Sequence, residues 1–338
     1  MELATAFGLA EEIAFLERPE SYPELPGAVE AIETHLAWVF LTDRHAYKLK
    51  KPARYSFVDF RSLSARRRDA EDEVRLNRRL ASDVYLGVVA LVRDRHGDLA
   101  LEAEGVPVDW LVKMRRLPRA RMLDFAIAAA AVDGAALQSV AELLARFYRE
   151  AIRVPITPTE YRRRFHEESA DDARALAEQR YGLPTDAIAR TLAGQHAFLA
   201  RWADLLDVRA AAGRIVEGHG DLRPEHVCLG PPPVIIDCVE FSRDFRILDP
   251  ADELAYLALE CERLGAEEVG ATVLARYGTL TGDHPPEALI RFYKSVRAVL
   301  RAKLAAWHLD DRTVRYPSQW FNRARAYLAL AERYSREE

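Results

Sequence analysis

The chain has 338 residues, 49% of them hydrophobic and 30% charged, with 16 Gly and 17 Pro. That mix excludes a disordered, collagen-like or low-complexity protein, and the length is what two domains or lobes need. Basic and acidic side chains number 48 and 53, a net charge of -5, with 18 against 20 in residues 1–117 and 30 against 33 in the rest. Neither part carries the basic excess that phosphate-backbone binding requires, so nucleic acid and anionic membrane are poor partners.

Three cysteines, Cys228, Cys238 and Cys261, are too few and odd in number for a disulfide framework, which points to a reducing compartment. The first twenty residues hold several acids and no basic residue before Arg18, the wrong order for a secretory signal. The longest uncharged apolar run, 125–132, is far short of the ~20 residues that span a bilayer. The expectation is a soluble cytoplasmic protein; oligomeric state is left open.

From about residue 28 to 116 the signals are mostly of period two. Residues 36–42 and 45–50 read as two strands joined at Asp43-Arg44. Residues 64–80 read as a helix started by Ser64, followed by strands at 84–92, 98–102 and 107–116 with a turn at His96-Gly97. After Pro118 the pattern turns helical, at 137–152, 158–181, 185–206, 249–264, 285–308 and 316–334, broken once by β-like runs within 214–237. The expected architecture is α+β: an N-terminal antiparallel sheet lobe with one helix (1–117), a linker near 112–118, and a larger, mainly helical C-terminal lobe (118–338).

The most unusual residues lie in RIVEGHGDLRPEHVCLGPPPVIIDCVEF. His219-Gly220-Asp221 is followed by His226, an apolar run, a Gly-Pro-Pro-Pro turn and a second apolar run ending on Asp237. A strand, tight turn and strand would bring Asp221 and Asp237 to one cavity. Downstream, Asp249-Pro250 is a helix N-cap and first-turn pair.

Only six lysines occur, and three of them, Lys48, Lys50 and Lys51, cluster at the end of the second strand. Lys48 and Lys50 point to the same face of that strand. On the 64–80 helix Glu73 shares a stripe with Ala70, Leu76 and Leu80, whereas Glu71 aligns with Arg75 and Arg78. An acid on an apolar stripe needs a buried partner, and Lys48 is the expected one. A basic strand end and a Glu at the stripe's edge are the plainer readings of the same residues.

The segment around HGDLRPEH resembles the catalytic core of the aminoglycoside phosphotransferase family and, more distantly, the eukaryotic-type protein kinases, whose catalytic loop reads H-x-D-x-x-x-x-N with a metal-binding Asp on the next hairpin. The resemblance implies a two-lobed protein-kinase-like fold. It also implies an ATP-dependent phosphotransferase acting on a hydroxyl of a small-molecule acceptor: Asp221 is the catalytic base beside His219, and Asp237 the Mg²⁺ ligand. His226 stands where the family has Asn; its nitrogen donor makes Mn²⁺ a further candidate, and Glu240 is a further metal ligand candidate. Lys48, with Lys50 as alternative, would meet the ATP phosphates with Glu73 behind it. Thr34 and His35 would form the turn over the nucleotide, because no glycine-rich loop precedes Lys48. Residues 110–118 resemble the family's strand-to-linker segment, which puts Met114, Arg115 and Arg116 at the adenine. Arg243, Asp244, Arg246, Glu262 and Arg263 are candidates for the acceptor.

The run from Thr34 to Gly265 is similar to one branch of that family, without a firmly known substrate, whose longer members carry an added P-loop domain. That domain is not expected in these 338 residues, in which no G-x-x-x-x-G-K-[ST] occurs. A kinase acting on protein Ser/Thr and a nucleotide-binding pseudokinase are alternatives. A zinc module built on His219, His226, Cys228 and Cys238 is a third, though their spacing matches no compact zinc pattern.

Overall fold

The computed structural model describes residues 2–54, 58–310 and 316–336. They divide into two compact units, residues 1–125 with 225–245 and residues 126–224 with 246–338. The expected boundary near residue 117 therefore lies close to the first crossing, but 225–245 returns to the first unit. Its hairpin, β8 (Val227–Cys228) and β9 (Val234–Ile235), supplies Cys228 and Val234 to that unit's core.

The first unit opens with helix α1 (Glu2–Leu16), which the period-two reading passed over. Six antiparallel strands follow: β1 (Glu30–Glu33), β2 (Ala37–Leu41), β3 (His45–Lys50), β4 (Tyr85–Arg93), β5 (Leu99–Leu101) and β6 (Val106–Arg115), in the order β1-β2-β3-β6-β4-β5. Helix α2 (Leu63–Asn77) lies between β3 and β4 in the chain; Ser62 rather than Ser64 caps it, its hydroxyl accepting from the Ala65 amide at 3.2 Å. The alternation of β3 decides what each sheet face carries. Tyr47 and Leu49 pack with Phe15, Leu16, Tyr22, Phe40 and Leu111. Ala46 packs on the other face with Ala70 and Val74 of α2, so Lys48 and Lys50, in phase with Ala46, face that helix.

The second unit comprises α4 (Gly134–Glu150), α5 (Pro158–Leu176), α6 (Thr185–Arg201), α7 (Ala203–Ala211), α8 (Pro250–Arg263), α9 (Glu267–Thr281), α10 (Glu287–Trp307) and α11 (Pro317–Ser335); α3 (Leu123–Ala128) leads into it. The continuous helix expected over 185–206 breaks at Trp202, which has left helical geometry at φ -121°, ψ 24°. The α8 helix is the centre of the unit, with every residue from Pro250 to Cys261 buried. Asp249 caps it as expected, accepting from the Ala251 amide at 2.9 Å. Strands β7 (Val216–Glu217) and β10 (Ile247–Leu248) pair antiparallel and hold the two ends of the loop that carries His219 and Asp221. The Arg246 carbonyl accepts from the Gly218 amide at 2.7 Å.

Candidate active site

In the first unit β3, α2 and the chain after β9 bring two lysines and four carboxylates together. Lys48 Nζ lies 2.9 Å from Glu73 Oε1 and 2.7 Å from Asp237 Oδ1. Lys50 Nζ lies 2.8 Å from Glu73 Oε2, 2.9 Å from Asp69 Oδ2, and pairs with Glu240. Glu73 thus gives one oxygen to each lysine, because period two on β3 aims both ammonium groups at α2. Asp69 joins them because it lies four residues, one helical turn, before Glu73.

The electrostatics separate the two lysines. Burial opposes the charge of both, but Asp237 and Glu73 at Lys48, and Glu240 and Glu73 at Lys50, more than offset it and hold both above the usual lysine range. Burial likewise opposes the charge of Asp237, yet Lys48, His226 and Lys50 hold its carboxyl well below the usual range. Burial outweighs Lys50 at Glu240, whose carboxyl is pushed up to about 7. Lys50 is only 1% exposed and enclosed by three carboxylates, whereas the Asp237 side chain is 42% exposed. Of the two lysines, Lys48 is the one that touches this partly exposed carboxylate.

Asp237 sits at φ +62°, a left-handed conformation rare outside glycine. Two side chains hold it there. The Asp237 amide donates to Tyr85 Oη at 3.0 Å, and the next amide, of Cys238, donates to Asn77 Oδ1 at 2.8 Å. His226 Nε2 approaches Asp237 Oδ2 at 3.4 Å.

In the second unit Asp221 is the centre of a separate group. Its Oδ1 accepts from Tyr256 Oη and from Arg223 Nε, each at 2.9 Å, and its amide donates to His219 Nδ1 at 3.2 Å. Glu253, fully buried, fixes the loop from below: it accepts the amide of His219 at 3.0 Å, the amide of Gly220, and the Tyr148 hydroxyl at 2.8 Å. Gly218 permits this approach, since a Cβ there would stand 2.5 Å from Glu253 Oε2.

Other expected positions fall as follows. Thr34 and His35 form the exposed turn between β1 and β2, where Thr34 Oγ1 accepts the Ala37 amide at 3.0 Å. The Met114 side chain is buried in the core beside α2. The amides of Arg115 and Arg116 donate to the Val84 and Arg44 carbonyls, both at 2.8 Å, so neither is a donor for a base. Glu240, expected as a further metal ligand, pairs with the Lys50 ammonium. Arg246, expected at the acceptor, is buried and pairs with Glu217 at 2.8 Å. Glu262 pairs with Lys294 of α10 and with Arg333 and Tyr334 of α11, tying α8 to both, and Arg263 Nε meets Glu260 within α8 at 2.8 Å. Arg243 and Asp244 are exposed. Cys228 and Cys238 are buried and in no disulfide among the described residues, and neither joins the acidic cluster Asp69, Glu73 and Glu240 that has the spacing of a metal site.

A family model described as "Phosphotransferase enzyme family" matches residues 41–291. The chain belongs to the phosphotransferase enzyme family. A protein of Mycobacterium tuberculosis and another of Mycobacterium bovis, both named only as uncharacterized, are each 35% identical over 287 residues, 82% of this chain and 54% of theirs. The chain therefore spans about half the length of the curated relatives it matches. Among solved structures it is similar to a choline/ethanolamine kinase family protein from Mesorhizobium loti (TM-score 0.51, 16% identity, 96% of this chain and 99% of that one). A choline kinase from Cryptosporidium parvum (TM-score 0.52, 11% identity, 97% and 96%) and aminoglycoside 2'-phosphotransferase-IIIa in its GDP complex (TM-score 0.51, 16% identity, 91% and 93%) are also similar. At these identities the likeness is one of fold, and it bears out the two-lobed, protein-kinase-like α+β architecture.

Several residues of this family member were not foreseen: Asp69, Asn77, Tyr85, Tyr148, Arg223, Glu253 and Tyr256. One signal was available. Asp249, Asp252, Glu253 and Tyr256 fall on one stripe of a helix with apolar neighbours, and polar groups on a buried stripe must have partners.

Proposed function

We propose that the chain transfers the γ-phosphate of ATP to a hydroxyl of a small-molecule acceptor. The observation that carries this reading is Lys48, held between the buried Glu73 at 2.9 Å and the partly exposed Asp237 at 2.7 Å. Such an ammonium is aligned from behind and presented beside a carboxylate, the arrangement phosphoryl transfer uses to place phosphates. The first unit is assigned to the nucleotide and the second to the base and the acceptor. With the Arg115 and Arg116 amides used in the sheet, adenine would meet the chain from Leu117 onward.

Asp237 with His226 would supply oxygen and nitrogen donors suited to a divalent cation, Mg²⁺ or Mn²⁺. When bound, the ion would neutralise charge on the phosphate oxygens. Lys48 would bind the phosphates, Glu73 would orient Lys48, and Asp221 would take the acceptor's proton. In the transfer the acceptor O–H breaks and its proton passes to Asp221. The acceptor oxygen bonds the γ-phosphorus, and the bond from that phosphorus to the bridging oxygen breaks, leaving ADP.

The test is label transfer from γ-labelled ATP to a panel of hydroxylated small molecules and, separately, to Ser/Thr-containing proteins. Label on a small molecule, lowered ~10²–10⁴-fold in Asp221→Asn, is the expected result for a positioned base. Label on protein alone would make the chain a protein kinase, and ATP binding without transfer to anything would make it a pseudokinase; either overturns the proposal.

A further inference from the structure

Two donors from different parts of the second unit converge on a single oxygen of Asp221. Arg223 reaches Oδ1 from two residues along the same loop, and Tyr256 reaches it from α8, both at 2.9 Å. Tyr256 is itself immobilised: its side chain is buried, and the Arg297 guanidinium of α10 lies 5.3 Å over its ring. Arg297 is fixed in turn by two hydrogen bonds to Asp252, at 2.8 and 2.6 Å, one turn before Tyr256 on α8. A buried ion pair thus supports the ring, and the ring aims its hydroxyl at the carboxylate.

We infer that Tyr256 and Arg223 are positioning residues that fix the Asp221 carboxylate through Oδ1, with the Asp252–Arg297 pair as the support of Tyr256. A carboxylate free to rotate about its Cβ–Cγ bond presents its oxygens to an acceptor in many directions. Two donors on one oxygen hold it in one plane, the kind of preorganisation on which proton transfer depends. The rival explanation is that a buried tyrosine simply needs a partner for its hydroxyl and found one. The two explanations differ in what happens when only the hydroxyl is removed.

The inference rests on the proposed role of Asp221 as base, and the experiment keeps the two apart. The full chain is assayed for ATP hydrolysis, with phosphate release as the readout, alongside ATP affinity and melting temperature, for the wild type, Tyr256→Phe, Arg223→Gln, Asp221→Asn and the double variant Tyr256→Phe/Asp221→Asn. A hydrogen bond to a charged group is worth enough to change a rate about 10-fold or more. Tyr256→Phe and Arg223→Gln are each expected to lower turnover about 10-fold or more with ATP affinity and melting temperature nearly unchanged. On the Asp221→Asn background Tyr256→Phe should cost less than about 2-fold, since the carboxylate it positions is gone. Wild-type turnover in Tyr256→Phe, or an equal loss on both backgrounds, would overturn the inference.

Where the wild type shows no ATP hydrolysis, the proposed function is decided by label transfer from γ-labelled ATP, and the positioning contact is read without activity, by ¹³C carboxyl NMR of Asp221 assigned through Asp221→Asn. Arg223 of its own loop and Tyr256 of α8 meet that carboxylate, His219 meets the Asp221 amide, and Glu260 and Arg301 act on Tyr256 from α8 and α10. Losing a donor to the ionised form raises its proton affinity, so Asp221 should titrate at higher pH in Tyr256→Phe. An unchanged titration would contradict the positioning role.

Discussion

Lys48 and Lys50 show how two identical side chains two residues apart acquire different work. Both face α2 and share Glu73, but of the two Lys48 reaches the partly exposed Asp237, while Lys50 is closed in by Asp69, Glu73 and Glu240. The sequence left these lysines as alternatives because period two puts them on one face, and nothing in the strand marks where the fourth carboxylate lies. The structure separates them by their partners. Removing Lys50 leaves three carboxylates in a buried site without their cation, a class of change that costs about 3–5 kcal/mol. Lys50→Met is expected to lower the unfolding midpoint in urea accordingly, whereas Lys51→Met, whose ammonium pairs near the surface with the exposed Glu33, should leave it nearly unchanged. Equal midpoints for the two variants would show that Lys50 does not hold the cage together.

Elements with a clear period or cap were legible, and those defined by their neighbours were not. β3, α2, β4 and α8 came within three residues of their observed limits, because alternation, helix formers and the Asp249-Pro250 start are local signals. β1 carries two glutamates in four largely exposed residues, and its pairing with β2 alone makes it a strand. The α9 helix contains Gly270, Gly278 and several β-branched residues, a poor helical sequence. Packing overrides it: a Cβ at Gly270 would stand 2.4 Å from Ala258 Cα, so glycine is what lets α9 close on α8. The α1 helix was missed because its apolar residues run nearly all round it. It buries Glu12, whose carboxyl is pushed up to about 8 by burial and the neighbouring Asp109, against the pull of Arg66. The folded chain therefore keeps a proton that the unfolded chain releases above about pH 4.5, and this contribution to stability is lost as pH rises toward 8. Melting curves should fall from pH 5 to pH 8, and Glu12→Gln should make that fall shallower. Glu168 and Glu240, both pushed up to about 7, keep part of the slope in the variant. The same slope in both proteins would contradict the buried position of Glu12.

At the scale of the whole molecule, the residues proposed to carry chemistry were the most legible part and their supports the least. His219, Asp221, Asp237, Lys48 and Glu73 stand in motifs whose spacing can be read along one strand, loop or helix. Asn77, Tyr85, Glu253 and Tyr256 act across elements, on partners 161, 152, 34 and 35 positions away, and no local pattern announces them. The acceptor was illegible for a related reason: of the five positions proposed for it, Arg246 and Glu262 are engaged in pairs that join elements of the second unit, and Arg263 pairs within α8. The central claim concerns the nucleotide, and titration of the chain with ATP in the presence of Mg²⁺ tests it most directly. The account predicts that the wild type binds ATP, that Lys48→Ala and Asp237→Ala each weaken binding about 10-fold or more, as loss of a charge-assisted contact requires, and that Asp221→Asn binds nearly as well as wild type. No binding by the wild type, or wild-type affinity in Lys48→Ala and Asp237→Ala, would contradict it.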